Sequence, residues 1–246
     1  MPGFMAVQKR FRGFTFVVFV LLILTMDLKG QEVQIWLDGF VYKDFGKALE
    51  LETNIGWDKL IENGGWSEYY FNNTLTWTVK KWYETEGSIE LHHTNDPLST
   101  NVNELRLWIA QGFIFTPFIH CLRLEKPYFY LRIEERFLGY PEVDTTAFKT
   151  RLRPRIGGKF LIKHTKMIPK TFFMSWYFEG FINLNGEAYE QFALQNRTSV
   201  GLGYKFNEKW TTELVHYIQR SRNTIEDSFT RTDLIIQIQI KYYIDN

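Results

Sequence analysis

One stretch limits what this chain can fold into more than any other: Ala193 to Gln219, ALQNRTSVGLGYKFNEKWTTELVHYIQ. From Gln195 to Phe206 residue character alternates with period two. Gln195, Arg197, Ser199, Gly201, Gly203 and Lys205 share one face; Thr198, Val200, Leu202, Tyr204 and Phe206 share the other. Successive side chains of a strand point to opposite sides, so this is a strand with one polar or small face and one apolar face. Asn207-Glu208-Lys209 interrupts the pattern as a short turn. Trp210 then opens a second strand with Glu213, Tyr217 and Gln219 on its polar side. A strand of roughly 12 residues is longer than a soluble sheet normally uses and suits a tilted crossing of a bilayer.

The alternation recurs in eleven segments, near 34–45, 48–57, 66–79, 82–93, 103–116, 127–138, 147–161, 171–184, 192–206, 210–221 and 228–244. In the second and fourth, Glu50, Glu52, Glu84, Glu86, Glu90 and His92 oppose Leu49, Leu51, Ile55, Ile89 and Leu91. In the sixth, Arg132, Glu134 and Arg136 oppose Phe129, Leu131, Ile133 and Phe137. The seventh sets Lys149, Arg151, Arg153, Arg155 and Lys159 against Phe148, Leu152, Ile156 and Phe160. So many charges on one face do not line a dry core. They meet water, or one another, inside a barrel whose apolar face meets lipid.

The fold predicted is therefore all-β: an antiparallel transmembrane β-barrel of about 10 to 12 strands over residues 31–246. Its lumen carries Glu50, Glu52, Glu84, Glu86, Glu90, Arg132, Glu134, Arg136, Lys149, Arg151, Arg153, Arg155, Lys159 and Arg197 as a charge network. The lysine and arginine row of the seventh segment is expected to meet the glutamates of the second and fourth across the interior, as an interlocked plug. A soluble lipocalin-like barrel competes, with the two faces inverted. Eleven is an awkward number, because single-chain bacterial barrels are even-numbered. One segment is then merged, missed or not fully part of the wall. Pro154, mid-segment, removes a ladder donor and is expected to sit at a bulge.

Connections alternate in kind. Gly46-Lys47, Lys80-Lys81 and Asn207 to Lys209 are tight; Glu62 to Gly65, Thr94 to Val102, Gly139 to Thr146, Asn185 to Glu190 and Ser221 to Asp227 are longer and polar. Short turns at one end and long loops at the other are the pattern of outer-membrane barrels. Pro117 to Lys126 and Lys163 to Lys170, at the short-turn end, are longer than that pattern prefers. Phe45, Trp77, Trp82, Phe115, Phe206, Trp210, Tyr242 and Tyr243 cluster at the short-turn end as an interfacial girdle.

Lys9, Arg10 and Arg12 precede an apolar run from Phe14 to Met26, and Leu28-Lys29-Gly30 follows it. That order reads as a secretory signal peptide over residues 1–30, cleaved before Gln31. Its loss turns a balance of 29 basic and 28 acidic residues slightly acidic, which excludes a nucleic-acid binder on bulk charge. Cys121 is the single cysteine, so no intramolecular disulfide or thiolate metal cluster is available.

Gln195 to Trp210 (QNRTSVGLGYKFNEKW), Phe129 to Phe137 (FYLRIEERF) and Glu104 to Gln111 (ELRLWIAQ) resemble the family catalogued as domain of unknown function 2490. The resemblance covers Trp36 to Tyr243. It implies an exported outer-membrane β-barrel of a Gram-negative bacterium, partnered by outer-membrane lipid and inserted by the barrel-assembly machinery. It brings no catalytic residues. Such barrels commonly end on an aromatic residue, whereas this chain ends Ile244-Asp245-Asn246.

One constellation bears on catalysis. His92-His93-Thr94-Asn95-Asp96 faintly resembles the His-x-Ser-Asn element of outer-membrane phospholipases and lipid A deacylases, where histidine is the base of a serine nucleophile. Thr94 replaces the serine, and parity puts His92 and Thr94 on the lumen side, away from lipid. A metal held by His92 and His93 fails because adjacent strand residues diverge, and an acid/base pair of Glu134 and Glu135 fails alike. His120, His164 and His216 are isolated. No nucleotide motif is present, and no cofactor is implied. The functions left in play are a structural or ligand-binding barrel, a narrow channel, and a lipid-modifying enzyme using His92.

Overall fold

The computed structural model describes residues 32–61, 65–115, 124–162, 164–184, 194–222 and 231–244. The leader expected over 1–30, His120 and Cys121 lie outside them. Eleven strands follow one another: β1 (Glu32–Phe45), β2 (Leu49–Leu60), β3 (Ser67–Lys80), β4 (Tyr83–Asn95), β5 (Val102–Ile114), β6 (Leu124–Tyr140), β7 (Thr145–Leu161), β8 (Thr171–Asn183), β9 (Leu194–Lys205), β10 (Trp210–Arg222) and β11 (Arg231–Ile244). They close into a barrel in which each pairs antiparallel with its sequence neighbours, and no helix occurs among the described residues.

Closure explains the odd count. In an up-and-down meander of eleven strands the first and last run the same way, so they can join only as a parallel pair. β1 and β11 do so without a break from Glu32↔Asp233 to Lys43↔Ile244. Among the described residues no strand is missing from the closed ring, and β1 belongs to the wall along its whole length. The seam costs something, because parallel ladders are slightly weaker per residue than antiparallel ones.

Pro154 makes no bulge. It stays in register opposite Leu131 of β6. On its other side the ladder with β8 lapses between Leu152↔Ile182 and Arg155↔Glu179 and resumes in the same register. The proline forfeits ladder bonds without inserting a residue, and Gly180 leaves room beside its ring: a Cβ there would lie 3.6 Å from the proline Cγ. The bulge falls instead between Glu125 and Tyr128, where Lys126 takes φ of 44° and Pro127 needs no donor.

The turns follow local chemistry. Gly46 takes φ of 78° between β1 and β2, a conformation that costs glycine nothing. Asn207 Oδ1 accepts from the amides of Lys209 and Trp210, both at 2.8 Å, and so folds the chain back between β9 and β10. The loop expected at Gly139 to Thr146 is only the turn 141–144. Pairing continues up to Tyr140↔Thr145, and β6 and β7, with 17 residues each, are the tallest strands.

Parity sorts the faces. Every strand presents large apolar side chains outward, among them Leu37, Ile55, Leu75, Ile89, Ile109, Ile133, Ile156, Phe178, Leu202, Leu214 and Ile238. Ile55 is 62 % exposed. An apolar belt around a whole barrel far exceeds the patches that water-soluble monomers leave open. The glutamate and arginine rows point inward, which removes the inverted, lipocalin-like alternative. At the short-turn end Phe45, Trp77, Trp82, Phe115, Phe206 and Trp210 are exposed, and Trp210 packs on Tyr242 with centroids 4.7 Å apart. Tyr243 is not part of that girdle. Next to an outward Tyr242 it must turn inward, where it stacks on Tyr42 at 4.8 Å.

Candidate functional site

The interior holds a cavity of about 1530 Å³ lined by residues from all eleven strands. Glu50, Glu52, Glu84, Glu86, Glu90, Arg132, Arg136, Arg151, Arg153, Arg155, Lys159 and Arg197 line it. Glu134 lies beneath the arginines with no exposed surface, and Lys149 shares their face nearer the tall turn.

Charge in this cavity is sorted by strand. The inward carboxylates that line the cavity or lie buried beside it on β1 to β4 are Asp38, Asp44, Glu50, Glu52, Asp58, Glu68, Glu84, Glu86 and Glu90, whereas Lys43, Lys59 and Lys80 of the same strands point outward. The inward side of β6 to β9 carries Arg132, Arg136, Arg151, Arg153, Arg155, Lys159 and Arg197. One wall is acidic and the other basic.

The basic wall is neutralised in place. Arg151 donates to Glu134 at 2.6 Å, and Arg153 binds the other oxygen of the same carboxylate. Arg153 also reaches Glu179 at 2.9 Å, and Arg155 reaches that oxygen at 3.0 Å. Arg151, Glu134, Arg153, Glu179 and Arg155 thus form one chain across β6, β7 and β8. The pairing expected with the glutamates of β2 and β4 does not form. A long side chain meets the next strand, about 4.8 Å away, before it meets the far wall. Ionic contacts therefore run along the wall, and the cavity stays open beside them.

A second cluster sits toward the opposite end from Gly46. Glu104 binds Arg106 at 2.8 Å and Arg136 at 3.0 Å. Arg106 approaches Glu90 at 3.8 Å, and Trp108 Nε1 donates to Glu90 at 2.6 Å. His92 lies between Glu68 (Nδ1, 2.9 Å) and Glu90 (Nε2, 3.1 Å) and stacks on Tyr70. Thr94 donates to Glu68 at 2.8 Å. Both nitrogens of His92 are occupied by carboxylates and Thr94 donates to the other oxygen of Glu68, so no histidine-threonine dyad is assembled. His93 points outward to Asn103. Among the described residues no group of His, Cys, Asp and Glu is arranged to hold a metal ion.

The seam is fastened from inside. Gln237 donates to Asp38 and accepts from the Tyr217 hydroxyl, while Asp38 also accepts from Tyr70 and from Asn54 at 3.1 Å. Gln34 and Gln219 converge on Asp233 at 3.5 and 3.2 Å. Beside these, Val215, Tyr217 and Ile235 form a small apolar cluster with Trp36 and Tyr177. Phe173 fills another part of the interior and leaves Gly203 no space for a side chain, since a Cβ there would fall 2.1 Å from its ring.

Sequence reasoning missed Glu68, Glu104, Arg106, Trp108, Asp38, Glu179, Glu213 and Lys241 as network members. Each has the parity of its strand's inward face, which was the available signal. What parity omits is the register that brings Lys241 to Glu213 at 2.9 Å.

No curated protein matches the chain. A family model described as "Protein of unknown function (DUF2490)" matches residues 33–230, from β1 to the end of the β10–β11 connection, and the chain belongs to that family.

Proposed function

We propose that the protein is an exported β-barrel of a Gram-negative outer membrane that binds small polar solutes in a charged lumen. The leader over residues 1–30 would carry it out of the cytoplasm, and assembly machinery would insert it among outer-membrane lipids. The supporting observation is the coupling of an outward apolar belt on every strand with a polar cavity of about 1530 Å³ inside. Eight strands give an interior just wide enough to be filled by side chains, while 16 to 18 leave an open water channel. Eleven strands fall between, in keeping with a partly filled lumen.

A cysteine at Ile236 or Trp176, both on the outward face, tests the reading. In intact membranes each should resist a water-soluble maleimide that labels a cysteine at Glu86. Fast labelling at both outward positions would overturn it. A narrow channel is the second reading. Residues at both rims line the same cavity: Asp44 and Lys47 at one, Trp66, Ser99 and Tyr140 at the other. Single-channel conductance in a planar bilayer separates passage from binding alone. The lipid-modifying reading finds no support, because His92 faces the lumen and is held by Glu68 and Glu90.

A further inference from the structure

We propose that the lumen ligand is a zwitterion with separated charges, an ω-amino acid in the simplest case, held between the cavity-lining side chains of Glu86 and Arg132. The inference rests on the lumen-binding reading above and names the ligand class.

Glu86 of β4, Ala110 of β5 and Arg132 of β6 are successive partners in the sheet. Ala110, 1 % exposed, lies covered beneath the two long charged side chains, which themselves line the cavity. The two flanking strands lie two inter-strand spacings apart, about 10 Å at the backbone. Arg132 and Glu86 are coupled electrostatically, and Arg132 acts on Glu52 as well.

Both ends of this shelf are unpaired. Arg132 lies over the Trp108 ring with its guanidinium carbon 3.6 Å from the centroid. Among the described residues it makes no hydrogen bond and no ion pair, unlike Arg151, Arg153 and Arg155 beside it. Its stacked guanidinium presents its donors in a plane suited to a carboxylate. Opposite, Glu86 has no basic side chain within salt-bridge distance among the described residues, and neither do Glu50 and Glu52. Three acidic side chains outside any ion pair suit an ammonium group. A ligand with one charge satisfies one end and leaves the other facing the cavity alone. A zwitterion of matching length satisfies both.

The test is calorimetric titration of the detergent-solubilised barrel with glycine, 4-aminobutyrate, 6-aminohexanoate, butyrate and butylammonium. Either of the two longer zwitterions should bind more tightly than glycine, whose charges are too close to span the shelf. Each singly charged analogue should bind about tenfold more weakly or worse, the loss of one charge-assisted contact. Arg132→Gln and Glu86→Gln should each lower affinity for the zwitterion by a similar factor. The wild-type series alone decides the matter should a variant fail to fold. Equal binding of butyrate or butylammonium and the zwitterions, or binding of none of them, overturns the proposal. A barrel that enters vesicles yet shows no zwitterion preference sinks this inference and leaves the membrane reading intact; a zwitterion-binding barrel that needs no detergent does the reverse.

Discussion

Replacing Glu134 with glutamine removes the hub of the ionic chain on the basic wall. Glu134 is fully buried and takes Arg151 on one oxygen, at 2.6 Å from Nε, and Arg153 on the other. Two unit charges about 4 Å apart attract by about 4 kcal/mol at an effective dielectric of 20, so the carboxylate faces two such terms. Glu179 still holds Arg153 in the variant, which offsets part of the second. Glutamine adds a further fault, since its amide N–H groups would meet donors. Breaking a buried pair from one side costs about 3–5 kcal/mol, and we expect Glu134→Gln to fall in that range. Glu208→Gln is the control. Glu208 is 70 % exposed where it binds Lys205, so its loss should cost less than about 1 kcal/mol. Urea unfolding in micelles, followed by tryptophan emission, measures both. Adding Arg151→Gln to Glu134→Gln should recover part of the loss, because it withdraws the stranded cation. If Glu134→Gln costs no more than Glu208→Gln, lumen water is screening these charges and the wall is not held by its ion pairs.

Ile236→Lys puts an ammonium on the outward belt and should destabilise the lipid-embedded barrel by about 2–4 kcal/mol, as measured by urea refolding in vesicles. Gln237→Leu deprives buried Asp38 of a donor at the seam, which should cost about 1–3 kcal/mol. The loss should appear first as faster amide hydrogen exchange in β1 and β11; uniform exchange across all strands would show that the seam is no weak point. An epitope tag in the connection 96–101 should be reached by antibody on whole cells and one at Glu208 should not, and the reverse pattern would invert the orientation.

The eleven strands were legible because one rule produced them all. A wall with an apolar outer face and a charged cavity inside forces alternation along every strand, and that pattern is local. Connections were less legible, because a polar residue above the belt reads as loop whether or not it is paired. Gly139 to Thr146 shows this: its polar character is real, yet half of it is strand. The aromatic pair Tyr242-Tyr243 was assigned whole to the girdle although two adjacent residues cannot share a face. Partners were the least legible feature. Arg153 finds Glu179 through the register of β7 on β8, and no count along one strand reveals a register.

The polarity of the lumen follows from chain order together with the odd strand number. In a meander, position along the sequence becomes angle around the barrel, so a chain acidic in its early strands and basic in its later ones places the two charges on facing walls. β5 is the joint on one side, where Glu104 and Arg106 carry both signs within one strand. The parallel seam and β10 form the joint on the other, where Asp38, Gln237, Asp233 and Gln219 add amide-carboxylate contacts to the Lys241–Glu213 ion pair. Amides suit that position because each donates to one strand and accepts from the next, whatever the strand direction. Between the joints the basic wall is satisfied by Glu134 and Glu179, while Glu50, Glu52 and Glu86 face the cavity without a cation within salt-bridge distance. The field across the lumen thus arises from an imbalance in local pairing, with neutralised arginines on one side and open carboxylates on the other. Arg132 is the exception on the basic wall, and its place one strand beyond Ala110 from Glu86 brings the groups of both walls that lie outside any ion pair to the same level of the lumen.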